Sequence, residues 1–200
     1  MPAHAKWEKV ASGDFTLPNP PGDADSRHEI AELLKLQDER TQAECDAGTR
    51  QLDPEFKKLF GDSPLLTKQE IATLAPLMDR VSHFGERVAG YFKSRYRRTR
   101  PYNFDPRVQP CVVRPGGSKS YPSSHATVST LDACVLGLVF PAYQKDFSDL
   151  GVTLSERRMK IGVHFPSDVR AGQNLAGQIC DRLQQESDFM NEISKLRRAL

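Results

Sequence analysis

Residues 122–139 read PSSHATVSTLDACVLGLV, and this stretch decides the fold class. Val128, Leu131, Cys134, Val135, Leu138 and Val139 recur at spacings of three and four and leave almost no polar face. A helix that is apolar on nearly all sides belongs at the middle of a bundle. Pro122-Ser123-Ser124-His125 opens it with a proline, two hydroxyls and an imidazole. The first-turn amides of such a helix have no intrahelical acceptors, so together with the helix dipole they suit an anion. The plainer reading is that Ser123 and Ser124 only cap the helix.

The flanking segments are helical too. Thr67 with Glu70 forms a capping-box pattern before Ile71, Leu74, Met78, Val81, Phe84, Val88 and Phe92, with Pro76 either kinking that helix or marking its start. Thr41 with Glu44 repeats the pattern, and Ser26 with Glu29 gives it a third time. Asp53-Pro54 opens a short helix that Gly61 closes. A helix is expected from about Ser148 to Gly162, another from Pro166 through Leu183, and a last one on Phe189, Ile193 and Leu196. Gly172 and Gly177 would allow close helix contact. Without a convincing alternating strand or an internal repeat, the expectation is an all-α, single-domain helical bundle around a buried central helix. Residues 1–25, rich in Pro and Gly, read as an extended N-terminal arm, and residues 26–200 as the domain. Residues 101–121, with Pro106, Pro110, Pro115 and Gly116-Gly117, read as a loop that wraps the site.

Composition narrows the function classes. A formal net charge of +2 predicts no general attraction to nucleic acid or membrane, so any electrostatic function is local. The longest apolar run, Ala133 to Tyr143, is interrupted by Pro141 and too short to span a bilayer, so no integral membrane segment is expected. Ala3-His4-Ala5 has the small-x-small form of a signal-peptidase site, with Met1 standing in for a removed export signal. Cys134 and Cys180 fall in apolar helical patterns and read as buried thiols. With Cys45 and Cys111, export would open one or two disulfides with three full connectivities.

Cations and imidazoles then converge on one chemistry. Lys93 precedes Arg100-Pro101 by seven positions, and Arg158, His164 and Asp168 follow the central helix. Lysine and two arginines fit a tetrahedral oxyanion. A histidine four residues before an aspartate can be held in one tautomer with its other nitrogen free to attack. The plainer reading of that pair is a structural histidine. The run Arg95-Tyr96-Arg97-Arg98 between Lys93 and Arg100 reads mostly as solvated face, with Arg97 left out of the pocket. Two histidines and one aspartate among so many cations would repel a divalent ion, so no metal and no cofactor is expected.

Lys93 with Arg100-Pro101, then Pro122-Ser123-Ser124-His125, then Arg158, His164 and Asp168, in that order, resemble the three-part signature of the type 2 phosphatidic acid phosphatase (PAP2) superfamily. Within it the chain is similar to the soluble bacterial class A non-specific acid phosphatases. The resemblance implies a phosphohistidine at His164 with Asp168 orienting it, and His125 as the general acid. It assigns Lys93, Arg100, Arg158, Ser123 and the Ser124 amide to the phosphoryl oxygens. It further implies a small phosphomonoester substrate, inhibition by inorganic phosphate or vanadate, and a periplasmic location. Phosphotransfer to other alcohols would be a side activity, and a homo-oligomer stays open. Ser124 stands where glycine is usual, and Arg157 where a serine usually precedes the arginine. Lipid phosphate phosphatases, vanadate-dependent haloperoxidases and a non-catalytic phosphate-binding module are the rival readings.

Overall fold

The computed structural model describes residues 5–116 and 119–200; Ala3 and His4 of the small-x-small triplet, and Gly117, lie outside them. The helices are α1 (Asp23–Glu39), α2 (Gln42–Arg50), α3 (Phe56–Phe60), α4 (Lys68–Tyr96), α5 (Pro101–Phe104), α6 (Ser124–Val139), α7 (Gln144–Lys160), α8 (Pro166–Gln184) and α9 (Ser187–Ala199), and no strand occurs among the described residues. The expected all-α bundle is what forms. α6 is its axis: Val128, Leu131, Val135 and Leu136 are completely buried, and α4, α7 and α8 pack around it.

Two of the three capping boxes form. Thr41 and Thr67 each exchange hydrogen bonds with the glutamate three residues on. The third does not. α1 begins at Asp23, with Gly22 as its N-cap, and Ser26 and Glu29 turn their side chains to Arg98 instead. Aspartates at 23 and 25 already favour a helix start, which frees the later pair for tertiary contacts. α3 likewise starts later than expected, with Asp53 paired to Lys58 at 2.6 Å. α7 starts at Gln144 and ends at Lys160, so Gly162 lies beyond it. Pro76 stands inside α4 rather than at its start.

The N-terminal arm is more ordered than a bare extended segment. Short 3-10 turns at Lys6–Lys9 and Ser12–Asp14 drive Trp7, Val10 and Phe15 into the main core, where Trp7 meets Phe84 and Phe189 edge-on. The buried-thiol reading also fails. Cys134 is bonded to Cys180, joining α6 to α8, and Cys45 to Cys111, joining α2 to the loop after α5. Both pairs join cysteines that tertiary packing brings together across long stretches of chain, which no sequence spacing reveals. Gly172 does sit at a close approach: a Cβ there would meet the Ser123 carbonyl at 2.6 Å. Gly177 faces open space and plays no such part.

Candidate active site

Lys93 leaves the last turn of α4, which ends when Arg97 takes a left-handed φ of 49°. Residues 98–100 then run out of helix, and their side chains alternate: Arg98 buried, Thr99 exposed, Arg100 buried. Arg100 therefore enters the interior through an extended turn, not by sharing a helical face with Lys93. Its Nη1 lies 2.9 Å from the Val163 carbonyl and 2.8 Å from His164 Nε2. Arg158 reaches the same region from the end of α7, and Ser123 and His125 from the start of α6. Gly162, at φ +80°, turns the chain between α7 and α8 and sets His164 one residue before the α8 N-cap.

Hydrogen-bond partners fix both imidazole tautomers. A guanidinium can only donate, so His164 Nε2 accepts from Arg100 and the ring proton sits on Nδ1. A carbonyl can only accept, so His125 Nε2 carries its proton and donates it to the Gln51 carbonyl at 2.8 Å. Burial, then the charges of Arg100, Lys93 and Arg158, holds His164 well below the usual imidazole range. Burial and Arg158 do the same to His125. His164 is thus a neutral ring with a lone pair on Nε2 at neutral pH.

The cations are less uniform than their residue types suggest. Burial, reinforced by Arg100, pushes the Lys93 ammonium down to about 7. Arg158 is lowered to about 9, again mainly by burial. Lys93 Nζ donates to the carbonyl of Lys119 at 2.7 Å, so the end of the segment read as a loop reaches the site, whereas its start, Pro101–Phe104, is helix α5 and not loop. Ser123 acts as the N-cap, its Oγ accepting from Ala126 N at 3.3 Å, while its hydroxyl proton remains able to donate. Ser124, partly exposed, is the first residue of α6, so its amide is one of the unbonded first-turn donors. Arg100 and Arg158 are both nearly fully buried, and the Nε of each has no acceptor. Two buried guanidinium N–H groups in one region call for an acceptor, a role that a water or an anion can fill.

Asp168 is placed differently from a simple partner of His164. Its Oδ2 lies 3.4 Å from His164 Nδ1 but takes shorter bonds from Ser120 Oγ at 2.5 Å and Phe165 N at 2.9 Å. Its Oδ1 is bound by Arg98 at 2.7 Å. Sequence reasoning put Arg98 on a solvated face and overlooked Gln51 altogether. Gln51, which follows α2, places its carbonyl against His125 and, at 3.4 Å, Arg158 Nη1, while Arg157 binds its side-chain oxygen. Arg157 is therefore a tether for Gln51. No local signal marks a glutamine after a polar helix, so only the packing of α2 on α7 could reveal it.

Among the described residues no group of His, Cys, Asp and Glu is arranged to hold a metal ion, and no helix is long and apolar enough to cross a membrane. A profile of the PAP2 superfamily matches residues 82–180, which carry every site group just described except Gln51. The chain belongs to the PAP2 superfamily. Over its whole length it is 27% identical to a non-specific acid phosphatase of Salmonella typhi, covering 84% of that protein. It is 26% identical to one of Providencia stuartii over 70% of this chain and 57% of the other. A lipid A 1-phosphatase of Rhizobium etli is 36% identical over 59 residues, 30% of this chain and 25% of that one. PAP2 membership agrees with the bundle around α6 and with three signature blocks brought to one place by α4, α6 and the α7–α8 turn.

Proposed function

We propose that this PAP2 protein is an acid phosphatase that hydrolyses small phosphomonoesters without a metal, through a phosphohistidine on His164. The observation that carries the reading is the neutral His164 with its Nε2 lone pair directed at Arg100, beside two buried guanidinium groups whose Nε–H bonds lack acceptors. A phosphoryl group with oxygens on Arg100, Arg158, Lys93, Ser123 Oγ and the Ser124 amide would satisfy those donors, draw Arg100 Nη1 off Nε2 onto a phosphoryl oxygen, and leave the freed lone pair within reach of phosphorus. Phosphoryl transfer depends mainly on such positioning and charge stabilisation.

In the first step Nε2 bonds to phosphorus as the ester P–O bond breaks, and the leaving alkoxide takes the Nδ1 proton of the His125 imidazolium, whose Nε2–H stays on the Gln51 carbonyl. Bound phosphate, a dianion beside His125, raises that imidazole's basicity so that it can be the acid. In the second step a water attacks phosphorus, His125 removes its proton, and the P–N bond breaks to release phosphate. An alcohol in place of that water gives the phosphotransferase side reaction. Vanadate, with the same shape and charge, is the expected inhibitor. Two disulfides support an oxidising compartment, and we assign the protein to the periplasm.

The test is release of p-nitrophenol from p-nitrophenyl phosphate in EDTA, compared between wild type and His164→Ala. Chelator-resistant turnover in the wild type alone supports the reading, and equal rates in both overturn the nucleophile. A lipid-phosphate substrate is the second reading, favoured by the Rhizobium similarity, and a higher kcat/KM on a soluble lysophospholipid phosphate would select it.

A further inference from the structure

Behind the nucleophile lies a buried polar chain that the phosphohistidine scheme does not use. Arg98, 8% exposed, donates from Nη1 to Asp168 Oδ1 and Ser167 Oγ, each at 2.7 Å. Its Nη2 donates to Ser26 Oγ at 2.8 Å and to Glu29 Oε2 at 2.9 Å. The guanidinium lies over the Phe165 ring, 4.0 Å from its centre, so its plane is clamped as well as its ends. Glu29 in turn accepts from Ser167 N at 2.7 Å and Ser167 Oγ at 2.7 Å, which fastens the first turn of α8 to α1. The Arg98 carbonyl accepts from Ser120 N at 2.9 Å, and the Ser120 hydroxyl binds Asp168.

Building this assembly orders long side chains and removes two carboxylates and a guanidinium from water, a net cost unless geometry and pairing are good. All of it ends on the one carboxylate that faces His164 Nδ1. From these contacts we infer that Arg98, backed by Glu29, is a positioning residue for phosphoryl transfer: it aims Asp168 and sets how much of that negative charge His164 feels. The inference rests on the phosphatase reading and deepens it.

Charge signs make the role testable. His164 is faced by Lys93 from α4, by Arg100, by His125 from α6, by Arg158 from α7 and by Asp168 from α8. Arg98 is faced by Asp168 and Glu29, and Glu29 also by Arg170 at 3.3 Å. Removing Arg98's charge leaves Asp168 less neutralised, so His164 holds a proton to higher pH. Removing Glu29's charge strengthens Arg98's hold on Asp168 and shifts His164 the other way.

The experiment compares wild type, Arg98→Gln, Arg98→Lys and Glu29→Gln with p-nitrophenyl phosphate across the acid range. It adds nitrogen NMR of the His164 ring, assigned with His164→Asn, at neutral pH without substrate. Arg98→Gln is expected to move the acid limb of kcat to higher pH and Glu29→Gln to lower pH. Arg98→Lys should keep the limb and lower kcat about tenfold with KM within about twofold. With Arg100 still donating to Nε2, both Arg98 variants should keep the ring proton on Nδ1 but shift the Nδ1 resonance, because the Asp168 carboxylate facing it is no longer aimed. Limbs that stay still or move together, or a ring unchanged in both Arg98 variants, overturn the proposal. If Arg98→Gln does not fold, as judged by its helical circular dichroism, Arg98→Lys and Glu29→Gln decide by the same readouts. A wild type that releases no phosphate ends the phosphatase reading, and the ring spectra still decide whether Arg98 positions His164.

Discussion

Arg100 Nη1 and His164 Nε2 stand 2.8 Å apart, a donor that cannot lose its proton against an imidazole that must therefore keep its lone pair. The same guanidinium nitrogen touches the Val163 carbonyl, one residue before His164, so Arg100 fixes both the ring and the backbone that carries it. A lysine has charge but no planar fork and cannot reproduce both contacts while also facing phosphate. Arg100→Lys is expected to lower kcat about a hundred- to a thousandfold, as when an oxyanion donor is lost. Steady-state kinetics on p-nitrophenyl phosphate checks this, and a kcat within about threefold of wild type would count against it.

Lys93 sets an upper pH limit on anion binding. With its ammonium at about 7 in the free protein, it loses charge as the solution turns alkaline. Phosphate binding favours the protonated form, so inhibition by inorganic phosphate should weaken above about 7, by up to about tenfold per pH unit. Lys93→Arg keeps its charge throughout. Its inhibition constant should be nearly flat over the same range, and a parallel fall in both proteins would refute the assignment.

Asp132 lies on the buried face of α6, with the Ser82 hydroxyl at 2.9 Å as its partner and Asp79 nearby. Burial pushes its carboxyl well above the usual carboxylate range. The folded state thus binds a proton that the unfolded chain gives up at lower pH. The associated stability is complete below the ordinary carboxylate pKa and is lost as pH rises through the raised one. Thermal melts should show Asp132→Asn gaining on wild type as pH goes from acid to neutral. A difference in melting temperature that ignores pH would contradict the buried neutral acid.

Gly172 has a mechanical role. A methyl group there would meet the Ser123 carbonyl at 2.6 Å, Ala126 Cβ at 2.9 Å and Thr127 N at 3.0 Å, all at the start of α6. Gly172→Ala is expected to cost about 1–3 kcal/mol by overpacking, and to lower kcat/KM because Ser123 moves with the strain. Gly177→Ala, in the same helix but in open space, should be neutral or stabilising by up to about 1 kcal/mol. Urea denaturation of the pair checks the contrast.

What could be read without coordinates was the bundle and its chemistry. The apolar pattern of 122–139 required a central helix, and the residue types of Lys93, Arg100, His125, Arg158, His164 and Asp168 already suited an oxyanion. Those properties are local: periodicity and side-chain chemistry travel with the sequence. The helix that delivers Lys93 was legible for the same reason, since its capping box at Thr67 lies three residues from Glu70.

Direction was not legible. Whether Arg98 faces water or Asp168 depends on α4 stopping at Tyr96 and on Arg97 adopting a left-handed turn, which together set the side chains that point inward. Ser26 and Glu29 looked like a cap because the same two groups can satisfy a helix end or a distant guanidinium, and only packing of α1 against α8 chose the second. The Gln51 carbonyl and both disulfides arise from segments meeting across long stretches of chain, where pairing is fixed by the shape of the core. Composition and spacing thus specified the reactive groups, and tertiary packing decided which of them face one another and which bury their charge.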